Sequence, residues 1–206
     1  MKDAYVNEIV EWNKKFNLTG LKTKEEIIFK LYDDSLNISK AADLSKKIKV
    51  VDIGCGAGLP GIPLKIEHPN IELTLIDSVA KKIEFVEHII RTLKLIDTEA
   101  ICGRAEDVAK DRREQFDLAV SRAVAKLNVL YEYCLPFVKV GGSFIAQKGP
   151  DIEEELSSAM SAMKILGGRL KEQIKVPSGF LVVIEKINPT PKEFPRRAGT
   201  PGKRPL

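Results

Sequence analysis

The run Asp52-Ile53-Gly54-Cys55-Gly56-Ala57-Gly58 sets an acid two places before three glycines at alternate positions. Glycine tolerates positive φ and lets a backbone approach a ligand closely. The apolar run Ile48–Ile53 before it reads as a buried strand, and Pro60–Ile66 after it as a short helix. The loop therefore falls at the carboxyl end of a strand, where open α/β sheets bind small ligands. A dinucleotide fingerprint has its third glycine one place later, and that place is Leu59 here. A second acid, Asp77, follows Glu72–Ile76, which reads as a second strand. A carboxylate there can accept from two vicinal ribose hydroxyls, or it can serve as a first-turn acid for the helix that Ser78 caps. A third loop, Gly103-Arg104-Ala105-Glu106-Asp107, and a fourth, Ser121-Arg122-Ala123-Val124, also follow segments that read as strands.

Positioning these loops requires a series of strands and helices. Tyr5, Ile9, Trp12 and Phe16 form one apolar helix face, ended by Asn17-Leu18-Thr19-Gly20. Thr23-Lys24-Glu25-Glu26 is a capping box that opens a second helix, with Ile27, Leu31 and Ile38 facing inward. Strands are expected at 48–53, 72–76, 98–102, 116–120, 143–147 and 179–186. Val79, Ile83, Val86, Ile90 and Leu93 mark a helical stripe, and further helices are expected at 128–137 and 151–166. Alternating strands and helices predict a largely parallel sheet covered on both faces. The expected organisation is a helical extension over 1–44, an α/β domain over 45–188 and a basic, Pro-rich extended tail over 189–206.

The composition is ordinary, with 44% hydrophobic residues and a net charge of +4. No apolar run approaches the roughly 20 residues of a membrane span, and no secretory signal is visible. Cys55, Cys102 and Cys134 form no CxxC pair, so neither a zinc framework nor any other metal site is expected, and a cytoplasmic setting is. The charge is unevenly placed: from Ile187 onward stand Lys192, Arg196, Arg197, Lys203 and Arg204 against the single acid Glu193. A neutral body with a basic tail suggests an anionic partner, nucleic acid first, although a solvated tail has the same composition.

The glycine loop resembles motif I of class I methyltransferases, which bind S-adenosylmethionine. An acid near a cationic sulfonium and an amino group is electrostatically sensible. The resemblance puts Asp52 near the methionine portion of the cofactor, Asp77 on its ribose and the Gly103–Glu106 loop on its adenine.

A longer set of residues is similar to the bacterial small-subunit ribosomal RNA methyltransferase G family, also known as glucose-inhibited division protein B. It comprises Asp52 through Leu64, Leu75-Ile76-Asp77-Ser78 with Lys81-Lys82, Gly103-Arg104-Ala105-Glu106, Ser121 through Ala125, Lys148-Gly149 and Phe194 through Leu206. Trp12-Asn13-Lys14-Lys15, Asn17-Leu18-Thr19 and Asp34-Ser35-Leu36 fit as well. Two positions depart: Leu31 stands where the family often has His, and Phe194 where it often has Tyr. The resemblance implies a Rossmann-like, mostly parallel seven-stranded sheet. It also implies methylation at N7 of a guanine in the decoding-region loop, helix 18, of 16S rRNA, presented as rRNA, an assembly intermediate or the 30S subunit. The enzyme is expected to be a monomer. The implied cofactor contacts are Asp52, Gly54, Gly56, Gly58, Leu59, Asp77, Ser78, Val79, Ala105, Glu106 and Arg122. Arg104, Lys148, Arg196, Arg197, Lys203 and Arg204 are the expected RNA contacts.

That chemistry suits the rest of the chain. Guanine N7 has a lone pair and no hydrogen, so methylation there calls for alignment rather than for a base. No general base is evident. The fourth loop lacks the Asn/Asp-Pro-Pro-aromatic motif of enzymes that methylate exocyclic amines, and the three cysteines read as small buried hydrophobes. Arg122 has three readings: cofactor carboxylate, guanine O6 or phosphate, and a surface ion pair. His68 and His88 are assigned no chemistry. A methyltransferase for another RNA site or a non-RNA substrate is the alternative. Loss of residues 187–206 is expected to weaken RNA binding more than cofactor binding.

Overall fold

The computed structural model describes all residues 1–206. Its centre is one sheet of seven strands: β1 (Lys49–Ile53), β2 (Glu72–Asp77), β3 (Thr98–Cys102), β4 (Phe116–Arg122), β5 (Val138–Lys148), β6 (Gly168–Val176) and β7 (Gly179–Lys186). The order is β3-β2-β1-β4-β5-β7-β6. β1 to β5 run parallel, and β7 is antiparallel to both of its neighbours. The carboxyl ends of β1, β2, β3 and β4 therefore open on one edge, with the order reversing between β1 and β4. A ligand crevice belongs at such a reversal.

Alternation along the strands splits the core in two. Val50, Leu73, Leu75, Leu118 and Val120 face one layer, covered by α1 (Lys2–Asn13), α2 (Lys24–Ile27), α3 (Gly61–Glu67) and α4 (Ala80–Leu93). Val51, Ile53, Ile76, Ala119 and Phe144 face the other, with α5 (Ala105–Asp111), α6 (Leu127–Cys134) and α7 (Glu153–Ile165) over it. The N-terminal helices are thus part of the first layer: Tyr5, Ile9 and Ile27 are buried in it. The Thr23 side chain accepts from Glu26 N–H, as its capping box predicts. Beyond α2 the chain widens into a π-helical stretch, Ile28–Asp33.

Two expectations are corrected. β6 was not anticipated, because most of its residues are exposed and a register shift between Leu170 and Glu172 interrupts it. An edge strand held by backbone pairing carries little periodic signal. The C-terminal segment is not an extended tail. Arg113 donates to the carbonyls of Thr190, Pro191 and Phe194, and Thr190 N–H donates to Glu114 at 2.7 Å. Phe194 and Leu206 pack on the second core layer, and α8 (Thr200–Lys203) closes the chain. Proline richness had suppressed the periodicity without preventing docking.

Candidate active site

A cleft of about 270 Å³ lies at the sheet reversal. Gly54, Asp77, Ser78, Val79, Arg104, Ala105 and Glu106 all line it, so the first three sequence loops converge on one site. The convergence follows from register. Asp52 to Ile53 of β1 pair with Leu75 to Ile76 of β2, and Asp77 of β2 pairs with Cys102 of β3, so the loops leave the sheet side by side.

The glycine loop is held by its neighbours. Gly54 N–H and Cys55 N–H both donate to Ile76 O, at 2.8 and 3.1 Å. Gly54 has φ +72°, and a Cβ there would clash with Val124 Cγ2. Glycine is required at that position for conformation and for space. Asp77 is buried, taking Gly56 N–H at 3.0 Å on one oxygen and Val79 N–H at 2.9 Å on the other. It therefore fixes the glycine loop and the entry to α4 together. Each oxygen keeps a lone pair for a ribose hydroxyl. Lys82 lies 3.6 Å away. Glu106 is buried and takes Gly199 N–H at 2.9 Å, which ties the C-terminal segment to the wall of the cleft.

Other expected residues lie elsewhere. Asp52 is fully buried on the side of Tyr5 and does not reach the cleft. Its Oδ2 accepts from Gly61 N–H at 2.8 Å, while Oδ1 has no partner. Burial pushes its pKa up to about 7, against the Gly61 hydrogen bond and with help from the Asp77 charge. Its role is to hold the start of α3 behind the glycine loop. Gly58 and Leu59 are buried behind the loop, while half-exposed Gly56 touches the cleft through its N–H on Asp77. Arg122 points away from the cleft. Its guanidinium donates to Lys30 O at 2.6 Å and Leu31 O at 3.2 Å, and sits 3.3 Å from Asp34. The first-layer helices, absent from any local reading of β4, supply those partners. The structure does not put Arg122 on the cofactor carboxylate.

Of the six expected RNA contacts, two are committed to protein. Lys148 is 2.7 Å from Glu155 and donates to Ala125 O. Arg196 is 2.6 Å from Glu132. Arg104, Arg197, Lys203 and Arg204 remain exposed.

The sequence reading placed Ala123 and Val124 in the fourth loop without giving them a site role and missed Tyr133; all three complete the cleft. Ala123 adopts φ +53°, unusual for a residue with a side chain, and this turns Val124 toward Gly54. No sequence signal marks that turn. Tyr133 is half-buried on α6, beside the buried Tyr131, Glu132 and Cys134, and was given no role from sequence.

A glycine cradle, a carboxylate with two free lone pairs and a backbone-rich third loop suit a nucleoside carrying an amino-acid arm. Gly54 would approach that arm, Asp77 the ribose, and Ala105 N–H with Glu106 the adenine. The fold and this site define a class I S-adenosylmethionine-dependent methyltransferase. Solved structures share the fold: a putative S-adenosyl-L-methionine-dependent methyltransferase of Methanococcus maripaludis superposes with TM-score 0.60 at 17% identity, covering 80% of this chain and 90% of that one. A ribosomal protein L11 methylase of Lactobacillus delbrueckii does so with TM-score 0.60 at 17% identity, covering 75% and 77%.

The family is given by sequence. The profile of rRNA small subunit methyltransferase G (GidB) matches residues 2–178. The ribosomal RNA small subunit methyltransferase G of Alkaliphilus oremlandii is 49% identical, over 99% of this chain and 92% of that protein. Its namesake in a Thermoanaerobacter species is 47% identical, over 98% and 88%. The chain belongs to the rRNA small subunit methyltransferase G family. It is an enzyme, and S-adenosylmethionine is its methyl donor.

Proposed function

We propose that this enzyme methylates N7 of a guanine in helix 18 of 16S rRNA, acting as a cytoplasmic monomer on rRNA or a 30S particle. The observation that carries the reading is the apolar stretch of the cleft's wall. Ile53, Gly54, Ala123 and Val124 form it, and none can take a proton. Such a wall suits an acceptor that has a lone pair and no proton to lose. Burial pushes the thiols of Cys55 and Cys134 well up, so neither is a ready nucleophile for attack on a pyrimidine, while Cys102, expected to be buried, is exposed at the end of β3 and does not line the cleft. The names of the relatives support an rRNA substrate.

S-adenosylmethionine supplies a methyl group made electrophilic by its sulfonium. The protein's share is placement. The glycine loop and Asp77 fix the donor, Val124 lies against the glycine loop, and the exposed Arg104, Arg197, Lys203 and Arg204 hold phosphates. The test is methylation of 30S subunits that lack the modification, followed by nucleoside mass spectrometry. 7-Methylguanosine is the expected product, lost in Asp77→Ala together with cofactor binding. A different methylated nucleoside would refute the assignment.

A further inference from the structure

A second cavity, of about 470 Å³, is lined by Arg122, and neither the glycine loop nor Asp77 contributes to it. Phe29, Asp34, Asn37, Arg122, Pro177 and Ser178 are among its lining residues. The two spaces are neighbours along the chain: Arg122 lines this cavity, and Ala123 and Val124 line the cofactor cleft.

Asp34, 8% exposed, organises the cavity. Its Oδ1 accepts from Ser178 Oγ at 2.5 Å and from Asn37 Nδ2 at 3.2 Å. Its Oδ2 accepts from Gln147 Nε2 at 2.8 Å and lies 3.3 Å from Arg122 Nη2. Asn37 Nδ2 also donates to Asp34 O at 3.0 Å. Both amide hydrogens of Asn37 and the hydroxyl hydrogen of Ser178 are therefore spent on Asp34. A carboxylate can only accept, so it dictates this polarity. What Asn37 and Ser178 retain is lone pairs, on Asn37 Oδ1 and Ser178 Oγ.

Two acceptors with no free hydrogens call for a ligand edge with two adjacent donors. Among the nucleobases only guanine has one, N1–H beside the N2 amine; the Watson–Crick edges of adenine, cytosine and uracil mix donors with acceptors differently. Phe29, 71% exposed at the rim, offers the aromatic face on which an unstacked base rests. A guanine held by its Watson–Crick edge keeps N7 free on the opposite side of the purine.

We propose that this cavity is the acceptor-base pocket, in which Asn37 Oδ1 and Ser178 Oγ accept from guanine N1–H and N2–H while Phe29 stacks on the ring. The assignment rests on the guanine reading above and names the residues that select the base.

The test uses the full-length enzyme with 30S subunits and radiolabelled S-adenosylmethionine. Ser178→Ala and Asn37→Leu should each lower kcat/KM roughly 10- to 100-fold, the range of one lost base contact, with the cofactor Kd within about two-fold of wild type. Ser178→Thr, which keeps the hydroxyl, should recover most of the rate. Phe29→Ala alters an exposed side chain and leaves the fold intact, and it should raise KM for the subunit about ten-fold. Near wild-type kcat/KM in both Ser178→Ala and Asn37→Leu, or an equal loss of cofactor affinity, would overturn the pocket. Failure of the function itself shows separately, as a wild-type product other than 7-methylguanosine.

Discussion

The guanidinium of Arg196 grips the carboxylate of Glu132, a side chain with no solvent exposure, through Nε and Nη2, and the Arg196 backbone N–H donates to the same carboxylate. The pair fastens the C-terminal segment to α6, and the contact holds Arg196 in its charged form. An arginine that reads from sequence as a phosphate ligand is thus an anchor. Arg196→Ala leaves a buried carboxylate uncompensated and should cost about 3 kcal/mol of stability. Denaturant unfolding measures the loss. A change within 0.5 kcal/mol, the usual span of surface substitutions, would return Arg196 to the solvated residues.

The remaining cations of that segment are exposed and make a separate prediction. Replacing Arg197, Lys203 and Arg204 together by Ala should weaken rRNA binding uniformly. It should flatten the dependence of log K on log[salt] by roughly 2 to 3, at about 0.7 to 0.9 per phosphate contact. Cofactor affinity, followed by calorimetry, should hold. Deleting residues 189–206 is a different experiment. It removes the Gly199 contact to Glu106 in the cofactor cleft, so cofactor and RNA binding should fall together. The neat separation expected for a free tail does not survive the docked structure.

Gly54→Ala places a Cβ against Val124 Cγ2 and puts a side chain at φ +72°. The left-handed conformation alone costs about 1 to 2 kcal/mol. Cofactor affinity should drop more than ten-fold, because relief requires the loop or Val124 to move. Gly54→Ala combined with Val124→Ala removes the clash and leaves the backbone cost, so part of the affinity should return. An additive loss in the double variant would exclude steric coupling between these residues.

Asp52 gives the folding equilibrium a pH dependence of defined sign. Its folded pKa of about 7 lies above the ordinary carboxylate value. The unfolded chain therefore releases this proton first as pH rises. The stability associated with Asp52 is complete below the unfolded pKa, falls as pH climbs through the interval and is lost above about 7. Asp52→Asn keeps an acceptor for Gly61 N–H and cannot ionise. Its stability relative to wild type should therefore rise from pH 4 to pH 7 and then level off. A difference that stays flat across that interval would show that the buried carboxyl does not titrate there. Cofactor affinity at pH 6 should change little, since Asp52 does not line the cleft.

The sequence by itself determined the strand-borne half of the site. Gly54, Asp77, Ala105 and Glu106 each follow a segment that reads as a strand, and parallel strands in register bring their ends together. The donor class and the family were legible there for the same reason: the loop backbone conformations are encoded locally, in glycines and helix starts. Only the tertiary structure decided what contacts span long distances in the chain. Arg122 is 88 residues from Asp34, and which of its possible anions it meets depends on where the N-terminal helices pack. Arg196 is 64 residues from Glu132, and the burial of that acid turned a cation from ligand to anchor. Asp52 differs from a cleft residue only by the face of β1 it occupies, which strand alternation and the α1 packing decide together. Charge and residue type state what a group can do; desolvation and neighbours from distant elements select which of those things it does.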